Sequence, residues 1–120
     1  MKHRMSPFEE SVLLVVMELT AEDPKGAYGV PIKRRLNKIH KKDINIGTIY
    51  GTLGRFERKG YVSVTEGDPT PERGGRSKRY FAIEAAGVKA LRESREASRT
   101  IYDLFDRIWG QLWKAPQKAK

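Results

Sequence analysis

Apolar residues along the chain form four segments with helical spacing and one segment that alternates. The first segment opens with Ser6, Pro7 and Glu9, which are a cap, a first-turn proline and the second half of a capping box. Residues 12–17 are apolar on more than one side, which is typical of a helix enclosed by several packing partners. We therefore predict an enclosed helix from about residue 6 to residue 20.

A second helix is predicted from about Gly29 to His40, after a loop that contains Asp23-Pro24-Lys25-Gly26. Pro31 is acceptable there only in the first turn. The predicted buried side consists of Val30, Ile32, Leu36 and Ile39. The other side and the residues after it are basic: Lys33, Arg34, Arg35, Lys38, Lys41 and Lys42. Contact with DNA phosphates and a merely solvated surface are equally good interpretations of this basic side.

The third predicted helix, from about residue 46 to Gly60, has an unusual outer face. Ile49, Leu53 and Phe56 recur at the spacing of one buried side. The opposite side holds three glycines and two arginines: Gly47, Gly51, Gly54, Arg55 and Arg58. Each glycine inside a helix costs about 0.5–1 kcal/mol relative to alanine. Core packing does not explain glycines on the outer side, so we predict close approach to a partner. Helix packing within a dimer is the alternative.

A hairpin is predicted next, with strands at residues 61–65 and 79–83 and an exposed loop at 66–78. The loop and its border are basic and rich in glycine: Arg73, Gly74, Gly75, Arg76, Lys78 and Arg79. A helix followed by a basic hairpin is typical of a winged helix, in which the helix enters the major groove and the wing contacts the backbone. An ordinary solvent-exposed turn is the alternative interpretation of the hairpin alone.

The last predicted helix runs from residue 86 to residue 113 and would be roughly 40 Å long. Its apolar positions have coiled-coil-like spacing: Ile101, Leu104, Phe105, Ile108, Trp109 and Leu112. We predict that this surface forms a homodimer together with Val12 and Val16 of the first helix. Packing back on the chain's own first helix is the alternative.

These elements predict an α+β, mostly helical fold in three parts. Residues 6–85 form a winged helix-turn-helix DNA-binding domain, residues 86–113 a C-terminal dimerisation helix, and residues 114–120 a disordered basic tail. The predicted DNA-binding residues are Lys33, Asn45, Gly47, Thr48, Tyr50, Gly51, Thr52, Arg55, Arg73, Arg76, Lys78 and Arg79.

Composition favours a polyanionic partner, and a merely soluble basic protein is the alternative. The 120 residues include 24 lysines and arginines against 15 aspartates and glutamates, a formal charge of +9. Without cysteine and with only two histidines, the chain is poorly supplied for a metal site, and no metal or cofactor is predicted. No catalytic constellation of carboxylates or nucleophiles is evident, so an enzyme is the weakest class.

Targeting features point to the cytoplasm. The longest apolar run, residues 12–17, is far shorter than the roughly 20 residues of a membrane span. The opening MKHRMSPFEE lacks the apolar core and cleavage site of a signal peptide. We expect a cytoplasmic protein with no membrane partner.

The chain resembles the PadR-like transcriptional regulators, a winged-helix family, over about residues 8–92. The resemblance lies in AYG at 27–29, GTIY at 47–50, Leu53, FERKGYV at 56–62, GGRSKRYF at 74–81 and EAAG at 84–87. It implies a homodimeric repressor on palindromic operators, whose long C-terminal helix packs against the partner's first helix. Paired recognition helices then need half-sites about 34 Å apart.

The resemblance also implies control by a small aromatic or drug-like effector at the dimer interface. Ser98 stands about where drug-sensing members carry a tryptophan, and Asn45-Ile46 precedes GTIY where many members carry proline or serine. Trp109 and Trp113, one turn apart, are the candidate effector-binding residues; a hydrophobic dimer seam is the alternative. Two further alternatives for the whole chain are a winged-helix module for protein–protein interaction and an RNA-binding winged helix.

Overall fold

The computed structural model describes residues 5–67 and 77–112. The elements in chain order are α1 (Pro7–Glu22), α2 (Gly29–His40), α3 (Ile46–Arg58), β1 (Val62–Glu66), β2 (Arg79–Ile83) and α4 (Ala85–Leu112). Three helices, a two-stranded hairpin and a long last helix are the predicted α+β, mostly helical, winged helix-turn-helix arrangement. Arg73, Arg76, Trp113 and the tail at 114–120 lie outside the described residues.

The predicted capping box begins α1. The Glu9 backbone N–H donates to Ser6 Oγ at 3.1 Å, and the Ser6 backbone N–H donates to Glu9 Oε1 at 2.9 Å. Pro7 occupies the first turn, where its missing N–H has no partner to lose. Both hydrogen bonds of the predicted capping box are therefore present.

α1 lies at the centre of the domain. Val12, Leu13, Val15 and Val16 are all at most 1% exposed, because α2, α3, β2 and α4 pack around the helix. The prediction that Val12 and Val16 contact a partner subunit is therefore wrong. Their own chain encloses both side chains, and no surface of either is left for a second copy.

The apolar pattern of α2 is only half buried. Ile32 and Leu36 lie in the core, whereas Val30 and Ile39, also predicted to be buried, are exposed. Val30 lies about 160° around the helix from Ile32, on the opposite side. Ile39 shares the angular position of Ile32 but falls in the last turn, where the burial of the helix decreases.

The turn between α2 and α3 is fixed by side chains of α2. The Lys33 ammonium pairs with Asp43 at 2.8 Å and donates to the Ile44 carbonyl. Asn37 Oδ1 accepts from the Ile44 backbone N–H at 2.8 Å. Ile44 itself is buried, so these bonds set the position from which α3 begins.

The hairpin joins the helical core through its second strand. β1 and β2 are antiparallel, with Val64 opposite Phe81. Phe81 is buried, and its backbone N–H donates to the Ala27 carbonyl at 2.8 Å. Gly60, predicted as a left-handed cap, has φ of 78° between α3 and β1. The wing is thus attached to the loop before α2 as well as to α3.

The first half of α4 is attached to the domain by a close backbone contact and a buried hydroxyl. A Cβ on Gly87 would lie 2.5 Å from the Tyr61 carbonyl oxygen. Ser94 is fully buried; its hydroxyl accepts from the Met5 backbone N–H at 3.1 Å and donates to Glu10 Oε2. These contacts fix the direction in which α4 leaves the domain.

Two glycine substitutions should therefore have opposite effects on stability. Gly87→Ala forces a Cβ against backbone and should lower the free energy of unfolding by on the order of 1–3 kcal/mol. Gly51→Ala, where a Cβ would meet nothing within 4 Å, should raise it by about 0.5–1 kcal/mol. Urea unfolding of both variants is the measurement. A Gly87→Ala protein as stable as the wild type would contradict the close contact.

Candidate nucleic-acid interface

The outer side of α3 is a strip of bare backbone. At about 100° per residue, Gly47, Gly51, Gly54 and Arg58 fall within about 60° of one another, opposite the buried Ile49, Leu53 and Phe56. A Cβ on Gly51 would meet nothing within 4 Å, and one on Gly54 would meet only Arg58 Nη1 at 3.6 Å. No described part of the chain packs on this strip.

Asn45 caps the start of α3, and this cap accounts for the glycine at position 47. Its Oδ1 accepts from the Gly47 backbone N–H at 2.7 Å. A Cβ on Gly47 would lie 2.9 Å from that oxygen, so Gly47 accommodates the cap. Asn45 is one of the predicted DNA-binding residues; the structure gives its oxygen a capping role and leaves the amide nitrogen as a donor at the end of the strip.

One side of the strip is bordered by Thr48 and Arg55. Arg55 Nη2 lies 3.7 Å from Glu9 Oε2 of the α1 capping box and 3.2 Å from Thr52 Oγ1. The hydrogen bond from the Ser6 backbone N–H is the main cause that lowers the pKa of Glu9. Burial opposes it, and the Ser6 hydroxyl, Arg55 and Lys59 lower the pKa further. The Glu9 carboxylate thus holds a half-exposed guanidinium at the edge of the strip.

The other side of the strip faces the wing. Glu57 Oε1 of α3 pairs with Arg79 Nη2 of β2 at 3.3 Å. The neighbouring Lys78 ammonium lies 4.3 Å above the centre of the Tyr28 ring. A carboxylate therefore positions Arg79 next to the carboxyl-terminal half of α3, and an aromatic ring positions Lys78 next to the start of α2. Both are predicted DNA-binding residues of the wing.

A groove of about 510 Å³ separates the first turns of α2 and α3. It is lined by Gly29, Val30, Lys33, Arg34, Asn37, Ile46 and Tyr50. The Tyr50 hydroxyl lies so close to Gly29 that a Cβ at Gly29 would collide with it. Tyr50 is therefore packed against the amino end of α2 and is also half exposed to the groove.

The structure does not support direct DNA contact for two of the predicted residues. Thr52 is only 2% exposed, because it lies on the edge of α3 that faces the core. Its hydroxyl oxygen accepts from Arg55, so Thr52 helps to position that arginine. Lys33 lines the groove, but its ammonium is bound to Asp43 and the Ile44 carbonyl within the turn.

The remaining described candidates surround one surface. Gly47, Thr48, Gly51 and Arg55 belong to exposed positions of α3, and Lys78 and Arg79 border it from the wing. Sequence reasoning missed the ion pairs by which Glu9 and Glu57 position Arg55 and Arg79. Their partners are 46 and 22 positions away along the chain, so no local spacing signals them. It also missed Ile46 and Asn37 as groove residues.

The described residues offer neither a metal site nor a membrane span. No group of three or more histidine, aspartate or glutamate side chains within 5–67 and 77–112 is placed to hold a metal ion. None of the described helices is long and apolar enough to cross a bilayer.

The family model for the PadR-like transcriptional regulators matches residues 16–93, from the middle of α1 to the first turns of α4. The chain belongs to the PadR-like family. Among curated proteins, none matches it significantly.

Solved structures similar to this PadR-like chain agree on the fold. A transcriptional regulator from Clostridium thermocellum has a TM-score of 0.62 at 18% identity and covers 83% of this chain and 87% of its own. A PadR-like transcriptional regulator from Bacillus cereus has a TM-score of 0.61 at 19% identity, covering 83% and 88%. RosR from H. salinarum has a TM-score of 0.60 at 23% identity, covering 90% of both chains.

The contribution of the Glu9 carboxylate to the stability of this PadR-like domain should depend on pH. Glu9→Gln keeps a side chain that suits a capping box but removes the attraction to Arg55. Because the folded state lowers the pKa of Glu9 below 4.5, the carboxylate stabilises the fold above about pH 4.5. This contribution is lost as the pH falls through the folded value.

At pH 7 the variant should therefore be less stable by a few tenths to about 1 kcal/mol. Thermal unfolding of both proteins at pH 7 and at about pH 3 is the measurement. An equal difference at the two pH values would show that the negative charge is not the source of the effect.

Proposed function

We propose that this PadR-like chain is a cytoplasmic, homodimeric, sequence-specific DNA-binding repressor that inserts α3 into the major groove of a palindromic operator. The observation that carries the proposal is the bare strip on α3. Gly51 and Gly54 cost helix stability, and a Cβ at these positions would meet nothing in the described residues except the end of the Arg58 side chain. A backbone without side chains lets the helix approach the floor of a groove, which explains glycines at these positions.

The side chains that border the strip suit the floor and walls of such a groove. Thr48 and Arg55 lie on one side, and Ile46 and Tyr50 on the other. An arginine fork matches the two acceptors of guanine in the major groove, and threonine contacts either base edges or a thymine methyl group. Arg79 and Lys78 of the wing supply cations for adjacent phosphates. The proposal therefore assigns base contacts to α3 and backbone contacts to the wing.

Dimerisation is supported by the second half of α4. Its large apolar side chains are 44–65% exposed: Ile101, Tyr102, Leu104, Phe105, Ile108, Trp109 and Leu112. They occupy an arc of about 160° around the helix, and within the described residues this half does not pack back on α1. An exposed apolar surface of this length favours association with a second copy. The arc is wider than the seam of a two-stranded coiled coil, so each α4 has room for more than one partner helix.

A second surface on the domain continues this apolar arc. Leu14 is 50% and Met17 37% exposed on α1. Both line a groove of about 610 Å³ between α1 and α4, together with Val88 and Leu91. These residues replace Val12 and Val16 as the contribution of α1 to the proposed dimer. The groove is the natural place for the far half of the partner's α4.

Control by a small aromatic or hydrophobic effector belongs to the same proposal. The rings of Phe105 and Trp109 are stacked, with centroids 6.3 Å apart and planes 18° from parallel. Flat rings on the face that we assign to the dimer offer a surface for a flat ligand. Trp109 is therefore the described candidate for effector contact, and Trp113 lies outside the described residues.

The experiment that tests the proposal is selection of binding sites from random duplexes, followed by mobility shifts across a salt series. A repressor of this kind should select an inverted repeat and bind it less tightly as salt rises, because counterions are released on binding. No shift on any duplex at low salt would contradict the proposal and favour a protein–protein interaction module. Preference for structured RNA in competition would favour the RNA-binding alternative.

The role of the bare strip is tested by Gly51→Leu. The substitution should preserve or raise the stability of the helix, because it adds a good helix former in open space. Affinity for the selected duplex should fall at least about 100-fold, since the leucine prevents close approach, a cost of about 3 kcal/mol. Gly110→Leu is the matched control, because Gly110 is also an open helical glycine but lies on the polar side of α4. A folded Gly51→Leu dimer with wild-type affinity would refute the argument.

The dimer is tested by Ile108→Asp, which places a charge within the apolar arc of α4. Sedimentation should show a monomer at concentrations where the wild type is a dimer, because burying an unpaired carboxylate is costly. Arg107→Asp, one residue away on the polar side of the helix, is the control and should remain dimeric. A dimeric Ile108→Asp protein would place the interface elsewhere.

A further inference from the structure

An acidic side chain lies at the edge of the surface assigned to DNA. Glu9 Oε2 of α1 is 3.7 Å from Arg55 Nη2, and the Glu9 side chain is 27% exposed. A carboxylate at this place repels the phosphates of any duplex and so lowers the affinity for DNA in general. The negative charge of Glu9 therefore opposes the function that the rest of the surface supports.

The capping box does not by itself require that charge. The Ser6 backbone N–H donates to Glu9 Oε1, and a neutral glutamine also serves at this position of a capping box. Glu9 is nevertheless charged at neutral pH, because the hydrogen bond from the Ser6 backbone N–H, above all, lowers its pKa below 4.5. A role for the charge itself therefore has to come from its neighbours, and Arg55 is within ion-pair distance.

Arg55 is held by three acceptors of its own chain. Its Nη2 donates to Thr52 Oγ1 at 3.2 Å and lies 3.7 Å from Glu9 Oε2, and its Nη1 donates to the Gly51 carbonyl at 3.5 Å. Thr52 is only 2% exposed, so its hydroxyl is a fixed point. A guanidinium has about five N–H donors, so donors remain for a ligand on the exposed side of the group. Arg55 can therefore bind DNA without leaving these partners.

The Glu9 charge changes which group of DNA suits Arg55. A phosphate bound by this arginine would bring its own negative charge close to the carboxylate, and like charges repel. The acceptors of guanine in the major groove, O6 and N7, carry no net charge, so the carboxylate repels them much less. An arginine without such a neighbour binds either kind of group. Glu9 therefore favours the base over the backbone as the ligand of Arg55.

We propose that Glu9 is a specificity-determining residue, which directs Arg55 to a guanine of the operator and away from phosphate. The inference rests on the proposed function and deepens it. Glu9 acts through the arginine and is a positioning residue. Its charge lowers the affinity for every duplex, and it lowers the affinity for the operator least, because there Arg55 meets its guanine. Removal of the charge should thus raise general affinity and reduce discrimination.

The first experiment identifies the base that Arg55 reads. Sites are selected from random duplexes with the wild type and with Arg55→Gln. One guanine position in each half-site should lose its preference in the variant, by roughly 5- to 100-fold, as expected for a bidentate arginine–guanine contact. A variant that selects the same site as the wild type would overturn the inference. A wild type that selects no site would instead contradict the proposed function.

The deciding variant is Glu9→Gln, which keeps a capping-box side chain and removes the charge. Binding is measured to the operator, to the operator with that guanine replaced by adenine, and to a scrambled duplex. Affinity for the scrambled duplex should rise at least about twofold at low salt, because a repulsive charge is removed. Preference for guanine over adenine should fall about 2- to 10-fold, because one arginine side chain is no longer fixed. A loss of folded protein would lower all three affinities by the same factor.

Glu96→Gln is the matched control. Glu96 Oε2 also pairs with an arginine, Arg99, at 3.3 Å, but on the polar side of α4. The control removes the same charge and should keep the wild-type preference for guanine. An equal rise of affinity for the scrambled duplex in the control would assign the effect to net charge and overturn the inference. An unchanged guanine preference in Glu9→Gln would overturn it as well.

The dependence on Arg55 is tested by combining the two substitutions. In Glu9→Gln with Arg55→Gln, the base preference at the identified position should equal that of Arg55→Gln alone, since no arginine is left to direct. A further change of preference in the double variant would show that Glu9 acts on DNA by another route. That result would contradict its assignment as a positioning residue.

Discussion

The enclosure of α1 is the constraint on which the rest of the structure depends. A helix with an apolar surface on several sides must be covered on several sides, and here α2, α3, β2 and α4 provide the cover. This leaves α3 only one side for the core, Ile49, Leu53 and Phe56. Its other side must face outward whatever its sequence. The packing around α1 therefore exposes this side of α3, and the sequence places glycines on it.

Two arginines at the borders of the strip are held by acidic residues. Glu9 is shared between the start of α1 and Arg55, and Glu57 joins α3 to Arg79 of β2. Exposed ion pairs of this kind add little to stability. These ion pairs instead limit where the two arginine side chains point, because each carboxylate keeps a guanidinium group near one position. An arginine held in this way loses less conformational entropy when it meets a phosphate or a base.

Local signals in the sequence predicted much of the fold, and contacts between distant residues account for what they missed. The capping box at Ser6 and Glu9 and the left-handed Gly60 depend on neighbouring residues, and the structure confirms both. Periodicity also located the helices to within a few residues. It could not show that Ile39 lies in a turn where burial has decreased, because that depends on where the neighbouring elements end.

The same limit applies to the candidate site. The glycines of α3 are visible in the sequence because their cost is local. Tertiary packing, by contrast, determines three features that the sequence does not show. Thr52 is buried, Lys33 binds within the turn, and Arg55 pairs with Glu9. Val12 and Val16 were wrongly predicted to contact a partner because an apolar stripe looks the same whether its own chain or another covers it. Sequence patterns identify apolar faces, and only the packed structure identifies their neighbours.

The buried hydroxyl of Ser94 has a mechanical consequence. Because it ties α4 to Glu10 and to the Met5 backbone, the domain and the first half of α4 turn as one body. α4 acts as a lever roughly 40 Å long, so a tilt of about 5° displaces its far end by roughly 3–4 Å, one base-pair step. In a dimer joined at that far end, a small change in the angle between the two α4 helices would change the spacing of the two α3 helices. Neither domain would need to change its own structure.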